Sequence, residues 1–517
     1  MLTKKSNEGR NQIEFNSLED LVPKDHLLRK IENALDFNFI YDEVAELYSA
    51  IGRPSIDPVV LVKIVLIQYL FGISSMRQTI KEIEVNIAYR WFLGYSISEA
   101  IPHFSTFSKN YERRFKDSDL FAKIFARILE KAEQEGFLAL EQIYIDSTHI
   151  KASANKKKYE KINVNVEAKK YKEELEKEIN EDRIIHGKKP LKEDKKVVTK
   201  EVIKSTTDKD AGMFFKNEKE KCFAYLAHTA CDDSNFILGF DITPGNIHDS
   251  VAFKSVFENV TNKYKDEIIV TAVDAGYITP YIAKTILEAN ILPSMPYKSP
   301  MTKKGFFKKF QFVYDEYNDF YICPFEKELR YSTTDRDGYK LYKSNPKDCA
   351  NCPFKDSCTN SKNNQKVITR HVWAKFLEEA NHLRHDNYVK SVYKRRKETI
   401  ERVFADAKEK HGMRFTHLRG LAKIKMEVTL IFSCMNLKKL ANKLWKGRSR
   451  RSLFSRYSNS FIFILSNLAT KLTKRIFSLL KISFLSTVWR EKCNISLYIY
   501  NLIIFHLFYY HKCLILT

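Results

Sequence analysis

Between residues 20 and 116 apolar positions return at helical spacing, in LEDLVPKDHLLRKIENALD, PVVLVKIVLIQYLFGI and MRQTIKEIEVNIAYRWFLGY, with short polar breaks between them. The pattern predicts a run of helices. Ser55 or Asp57, ahead of Pro58, can cap the second, and Ser74 or Ser75 the third, because a side-chain oxygen there accepts the unpaired amides of a first helical turn. HFSTFSKNYERRF extends the run, with Ser105 or Thr106 as its cap and Lys109, Asn110, Arg113 and Arg114 along it. A helical unit closing on a basic amphipathic helix suits a DNA groove or its phosphates. The same charges also fit an ordinary solvated face.

From Gln142 the period changes to two. QIYIDSTHI, CFAYLAHTACDD and NFILGFDITPGN alternate, and DEIIVTAVDAGY reads as a buried strand ending in Asp-Ala-Gly. Helical patterns, SVAFKSVFENV and TPYIAKTILEAN, fall between or after them. Strands in succession, then helix, strand and helix, predict a mixed α/β sheet whose strand ends can carry a site. The Lys/Glu-rich stretch from Lys156 to Lys204 reads as an exposed helix or flexible insertion that interrupts the sheet without belonging to it.

Residues 296–390 form a second interruption, and helical pattern resumes near Val389. VKSVYKRRKETIERVFADAKEKHGMRF carries an apolar stripe of Ile400, Val403, Phe404 and Ala407 and a charged face of Glu398, Glu401 and Lys408, so helical geometry does not separate Glu398 from Glu401. A further helix ends near Trp445. Five segments result: 1–120 helical and suited to DNA, 121–295 the first part of a mixed α/β domain with its insertion at 156–204, 296–390 a cysteine-containing insertion, 391–447 the helical remainder of that domain, and 448–517 an apolar and basic tail. After Ser452 the tail has no Gly or Pro and Glu491 as its only acid, and it reads as coding sequence continued past a domain end. Its run ISLYIYNLIIFHLFYY has marginal length for a membrane span, but Asn501 and His506 interrupt it, and no membrane association is expected.

Composition narrows the function. Of 517 residues 44% are hydrophobic, with 36 Phe and 27 Tyr, which excludes a mainly disordered chain. Lys and Arg number 87 against 64 Asp and Glu, a net +23 that attracts polyanions, nucleic acid before a membrane surface. The first residues lack an apolar core of the secretory kind, so a cytoplasmic location is expected. Four of nine cysteines, Cys323, Cys349, Cys352 and Cys358, gather in one stretch and match a tetrahedral Zn2+ site in number and type, although only Cys349 and Cys352 form a CxxC pair. Four reduced cysteines in a small subdomain explain them equally.

Three acids sit on different elements: Asp146 inside the strand YIDST, Asp274 at the end of IIVTAVDAG, and Glu401 on the helix KETIERVFADAK. A carboxylate in an apolar strand is costly to desolvate unless paired or bound to a cation, and oxygen donors of this kind suit Mg2+. Two such ions can activate water and stabilise the leaving oxygen of an in-line phosphoryl displacement. Read singly, Asp146 also fits a satisfied strand carboxylate, Asp274 a turn acceptor and Glu401 a solvated face. In TPGNIHDS, Thr243, Asn246, His248 and Asp249 can orient a phosphate or metal ligands, or simply form a turn and a helix cap by Asp249 or Ser250. His149 and His228 read as packing or hydrogen-bonding residues.

Taken together, HLLRKIENALDF, GRPSIDPVVLVKIVLIQYLFGISSMRQ, IYIDSTHIKA, TDKDAGMF, YLAHTACDD, TPGNIHDS, VTAVDAGY, the cysteine cluster and IERVFADAKEKHGMRFTHLRG ahead of Asn436 resemble the DDE transposases of bacterial insertion sequences, over residues 15–445. The resemblance implies a ribonuclease H-like mixed sheet with helices, an all-α N-terminal domain and a small insertion subdomain. It implies Asp146, Asp274 and Glu401 as catalytic carboxylates holding two Mg2+ or Mn2+ ions, and Lys408 as a DNA contact. Tyr393 and Arg396 approximate the first letters of a Tyr-Arg-Glu-Lys signature, displaced by one residue. The implied activity is binding of terminal inverted repeats, metal-dependent strand cleavage and strand transfer, by a homodimer on double-stranded DNA. A nuclease of the same fold without strand transfer, and a non-catalytic end-binding repressor, are the competing readings.

Overall fold

The structure is a computed structural model and describes residues 12–49, 51–52, 55–165, 171–192, 199–215 and 221–446, all within one compact unit. The tail and its apolar run lie outside the described residues. Among the described residues no helix is long and apolar enough to cross a membrane.

The helical pattern of the first segment becomes α1 (Leu18–Leu21), α2 (Leu27–Glu32), α3 (Phe39–Val44), α4 (Pro58–Leu70), α5 (Met76–Val85), α6 (Ile87–Leu93) and α7 (Ser105–Asn110), and a helix not predicted from the sequence, α8 (Leu120–Gln134), follows it. Asp57 caps α4 through the amides of Val59 and Val60, with Pro58 at the first helical position, and Ser75 caps α5. α4 is buried on nearly every side. Its one buried cation, Lys63, reaches Glu32 at 2.9 Å and the Phe92 carbonyl at 3.2 Å, which satisfies the charge. α7 has no side-chain cap from Ser105 or Thr106. His103 Nδ1 accepts the Ser105 amide instead, and the helix continues as a π-turn over Tyr111–Phe115.

The main sheet contains β1 (Gln142–Lys151), β2 (Tyr159–Asn165), β3 (Thr199–Ser205), β4 (Gly212–Phe215), β5 (Lys221–Asp232), β6 (Ile237–Pro244), β7 (Val270–Val273) and β8 (Leu292–Ser294), and α9 (Lys172–Ile185) lies between β2 and β3 in sequence. Its order is β2-β3-β4-β5-β1-β7-β8, with β6 paired to β5. β1 lies antiparallel to β5 and parallel to β7, and β7 is parallel to β8. An antiparallel meander continued by parallel strands around a central β1 is the mixed sheet expected of a ribonuclease H-like domain. The Lys/Glu-rich stretch departs from expectation, because its two ends pair with each other as β2 and β3 and extend the sheet. Weak apolar alternation concealed the strands, since the register runs Tyr159↔Ser205 through Ile162↔Val202 with lysines and glutamates between. Its middle, α9, buries Leu175 and Ile179, and Glu178 holds Lys284 at 2.7 Å.

Two helices pack on the sheet, α10 (Asp249–Tyr264) against the antiparallel β5 and β6 and α11 (Pro280–Glu288) against the parallel β8. Residues 296–390 contain a second, antiparallel sheet of five strands in the order β13-β12-β11-β10-β9. Its elements are β9 (Val313–Asp315), β10 (Phe320–Ile322), β11 (Glu328–Thr334), β12 (Tyr339–Ser344), α12 (Pro346–Ala350) and β13 (Val367–His371), followed by α13 (Ala374–Leu383). The chain then forms α14 (Asn387–Arg395), α15 (Ile400–Lys410) and α16 (Leu421–Trp445).

One core cluster joins the N-terminal helices, the main sheet and α15–α16, whereas the insertion has a separate small core of Phe312, Tyr321, Leu329, Tyr342 and Ile368. The predicted stripe Ile400, Val403, Phe404 and Ala407 is buried throughout. Asn436 is fully buried in α16 and clasps one residue of β6, accepting the Ile237 amide at 2.9 Å and donating to its carbonyl at 2.8 Å. The clasp falls beside a bulge between Ala230 and Cys231, where the ladder skips Leu238.

Candidate active site

Asp146 follows Ile145 on β1, and Asp274 follows Val273 at the end of β7; Ile145 and Val273 are register partners on these adjacent parallel strands. Both aspartates therefore leave the sheet at one level. Arg396 Nη2 donates to Asp146 Oδ2 at 2.7 Å and Nη1 donates to Asp274 Oδ1 at 3.0 Å. The guanidinium thus neutralises carboxylates that would otherwise repel across neighbouring strand ends. Burial pushes Asp146 up to about 6, Arg396 and the Ser147 amide oppose the rise, and Asp274 and Asp249 add to it.

A third carboxylate stands behind the pair. Asp249, the first residue of α10, accepts from Ser147 Oγ at 2.7 Å and lies 3.6 Å from Nδ1 of the fully buried His228, whose Nε2 is 2.8 Å from Thr243 Oγ1. Ser147 and His228 are cross-strand partners, so β1 and β5 set this network directly beneath Asp146. Gly276 of the Asp-Ala-Gly turn leaves the space, since a Cβ there would come 3.1 Å from Asp249 Oδ2. Within TPGNIHDS the helix cap is His248, which accepts the Ser250 amide at 3.2 Å, and Asp249 faces the site. Gly245 packs so closely on β5 that a Cβ would lie 2.7 Å from the Ala224 carbonyl oxygen. His149 stacks on Phe214, a packing role.

Glu401 lies in the first turn of α15, exposed, with its amide on the Arg396 carbonyl at 3.2 Å. Among the described residues no three His, Cys, Asp or Glu side chains form a metal-holding cluster, so two of the three predicted acids meet and Glu401 does not join them. The expected continuous helix is also broken over 396–399. Thr399, at φ −109° and ψ −97°, directs its hydroxyl to the carbonyls of Arg395 and Arg396. Glu398 therefore precedes α15 and does not share a helix face with Glu401. Periodicity missed the break because the apolar positions on either side, Val392 and Ile400, remain two helical turns apart in phase.

The predicted DNA-contacting residues divide. Arg113 is exposed on the π-turn; Arg114 packs 4.4 Å over the Tyr48 ring and donates to Asn110. Lys408 is half-buried on α15, and the Tyr393 ring lies 5.5 Å from the Arg396 guanidinium carbon. Arg396 itself, expected at DNA, is committed to the aspartates. Sequence reading missed this bridge and the Ser147–Asp249 bond; the Asp249-Ser250 pair at a strand-to-helix turn was the available signal.

In the insertion, Cys323 Sγ accepts the amides of Phe325 and Lys327 at 3.3 Å each, and Cys349 Sγ donates to Ser344 Oγ at 3.1 Å. Burial pushes the Cys358 thiol up, Lys366 pulls it down, and neighbouring Cys349, Cys323 and Cys352 add to the rise. All four cysteines are free, Cys323 and Cys349 are hydrogen-bonded through sulfur, and among the described residues the four do not form a metal-holding cluster.

Two family models match the chain. One, described as a transposase domain (DUF772), covers residues 16–113, the N-terminal helices. The other, described as a transposase DDE domain, covers residues 322–441, which include the cysteine cluster, Arg396, Glu401 and Asn436 while leaving Asp146 and Asp274 outside the match. No curated protein matches the chain. The two matches, in chain order on a mixed sheet of this topology, bear out the resemblance to the DDE transposases of insertion sequences.

Proposed function

We propose that the protein binds the terminal inverted repeats of its own insertion sequence, cleaves the DNA at those ends and transfers the freed strands to target DNA. The observation that carries this reading is the meeting of Asp146 and Asp274 at adjacent strand ends, in a chain whose fold and family matches are those of a nucleic-acid-processing transposase. The donor set fits a divalent cation. Both groups are hard oxygens, a cationic guanidinium already lies between them, and the buried strand fixes Asp146. Mg2+ or Mn2+ ions held by Asp146 and Asp274, with Glu401 as third ligand, supply water activation and neutralise the leaving oxygen when bound.

The chain's own residues position. Ser147 holds Asp249 behind Asp146, and the Ser147 amide holds Asp146 Oδ1 at 2.8 Å, so the reacting face is oriented from below. The DNA backbone is met, on this reading, by Lys408, Tyr393, Arg113 and Arg114, and each phosphate that a cation among them neutralises releases counterions and makes binding salt-dependent. The four cysteines are proposed as a structural Zn2+ site. An insertion with a five-residue core has little apolar burial to hold it, and the paired N–H···S bonds on Cys323 are suited to a thiolate. A homodimer on DNA follows from the need to pair two ends.

The test uses the full chain, Mg2+ and duplexes taken from the DNA flanking its gene. Nicking at the repeat boundary and joining to a second duplex are expected. Nicking without joining favours a nuclease, and end binding without nicking favours a repressor.

A further inference from the structure

The bridge at the aspartates differs from a surface ion pair in three respects. Arg396 is only 6% exposed. Its Nε is buried without a partner although both terminal nitrogens are used, so the guanidinium is not fully satisfied where it sits. And the two carboxylates come from different strands and are bridged by this one side chain. Two carboxylates and one guanidinium leave a net negative charge, which still draws a cation of higher charge.

Its backbone adds a second fact. Arg396 follows α14 directly and opens the break at 396–399; its carbonyl receives the Glu401 amide at 3.2 Å and the Thr399 hydroxyl at 3.3 Å. The side chain that fills the carboxylate pair and the acid that stands outside it are therefore tied to one short non-helical joint. A displacement of Arg396 alters the hydrogen bonds that begin the Glu401 helix.

We propose that Arg396 is a positioning residue that acts as an internal counter-cation: it holds Asp146 and Asp274 assembled while no divalent ion is bound and yields them when the ion enters, the 396–399 joint shifting so that Glu401 joins the pair. This rests on the reading of the pair as the metal site. Arg396 then has two successive partners, carboxylates first and, once displaced, the DNA phosphate beside them.

Mn2+ binding to the full chain, read by loss of the free-ion paramagnetic resonance signal, together with thermal unfolding, tests it. Arg396→Gln should bind Mn2+ roughly tenfold more tightly than the unaltered protein, because no cation has to be displaced. It should unfold at lower temperature without Mn2+ and recover most of the loss with it; Arg396→Lys should fall between. Equal or weaker Mn2+ binding by Arg396→Gln, or a stability loss that Mn2+ does not restore, overturns the counter-cation role and leaves a fixed structural bridge. Hydrogen exchange on the unaltered protein keeps the idea open to refutation should the variant not fold: Mn2+ must change protection of the 399–401 amides, and unchanged protection overturns it. Asp274→Asn separates the two claims. Mn2+ binding that survives this change sinks the metal-site reading and the inference with it, whereas binding lost in Asp274→Asn yet unaltered in Arg396→Gln sinks the inference alone.

Discussion

The carboxylate pair and the cysteine group are two clusters of potential metal ligands, and they are held by opposite means. Asp146 and Asp274 are set by the main sheet, whose core continues into the N-terminal helices and α16, and their charge is balanced by a protein cation. The cysteines are set by turns of an insertion with its own small core, with Cys323 hydrogen-bonded to two amides and Cys349 to Ser344. A preformed sheet can keep like charges together, at the cost of a counter-ion. A small sheet with few apolar side chains has to draw stability from what its ligands bind.

The sharpest way to break this contrast is Asp274→Asn, which keeps size and removes charge. Cleavage of end DNA should fall by about 1,000-fold or more, equivalent to about 4 kcal/mol of barrier, while a gel-shift assay shows end binding unchanged. Loss of binding in step with cleavage would instead mean a structural role. Next in size is zinc. At a zinc concentration about 1,000-fold above its dissociation constant the wild-type chain should gain about 4 kcal/mol in thermal unfolding, and Cys352→Ser should abolish the gain. No gain in the unaltered chain removes the zinc reading.

Asn436→Ala supplies a control at a residue that belongs to neither cluster. It strands the amide and carbonyl of Ile237 at a bulged edge, and urea unfolding should show a loss of about 3 kcal/mol, with cleavage by the remaining folded protein unchanged. The smallest effects concern pH at the seam between α4 and α15–α16. Burial lowers His411 to about 4, and its Nδ1 lies 2.7 Å from the Tyr69 carbonyl oxygen. The unfolded chain binds the proton more readily, so stability is lost as pH falls from about 6.5 toward 4. Burial raises Glu427 to about 7, with Thr416 donating at 2.5 Å. There the folded state retains the proton longer, and stability declines as pH rises from about 4.5 to 7. Each amounts to roughly 3 kcal/mol over its whole window, only part of it at any one pH, with opposite sign. His411→Asn should flatten the acid side of the stability profile and Glu427→Gln the neutral side, and a profile unchanged in both would refute the assignment.

Much of the frame was readable because burial leaves a mark on residue type. β7 is buried at every position and reads as a buried strand, α15 buries Ile400, Val403, Phe404 and Ala407 at helical spacing, and Asp57-Pro58 announces the start of α4. β2 and β3 were hidden because their lysines and glutamates carry no period-two signal. The break at 396–399 was hidden for a related reason: it depends on the hydroxyl of one threonine and leaves the apolar phase intact.

The sequence alone determined the helical first segment, the strands that carry Asp146 and Asp274, the buried stripe of α15 and the cationic character that favours nucleic acid, because each is a pattern that local geometry and solvent impose on neighbouring residues. Only the tertiary structure decided that Arg396 is the partner of both aspartates, that Asp249 is bound to Ser147, and that Glu401 stands outside the pair. Those facts join residues more than 100 positions apart, and such pairings follow from strand register and from the desolvation of charge, which no local period records.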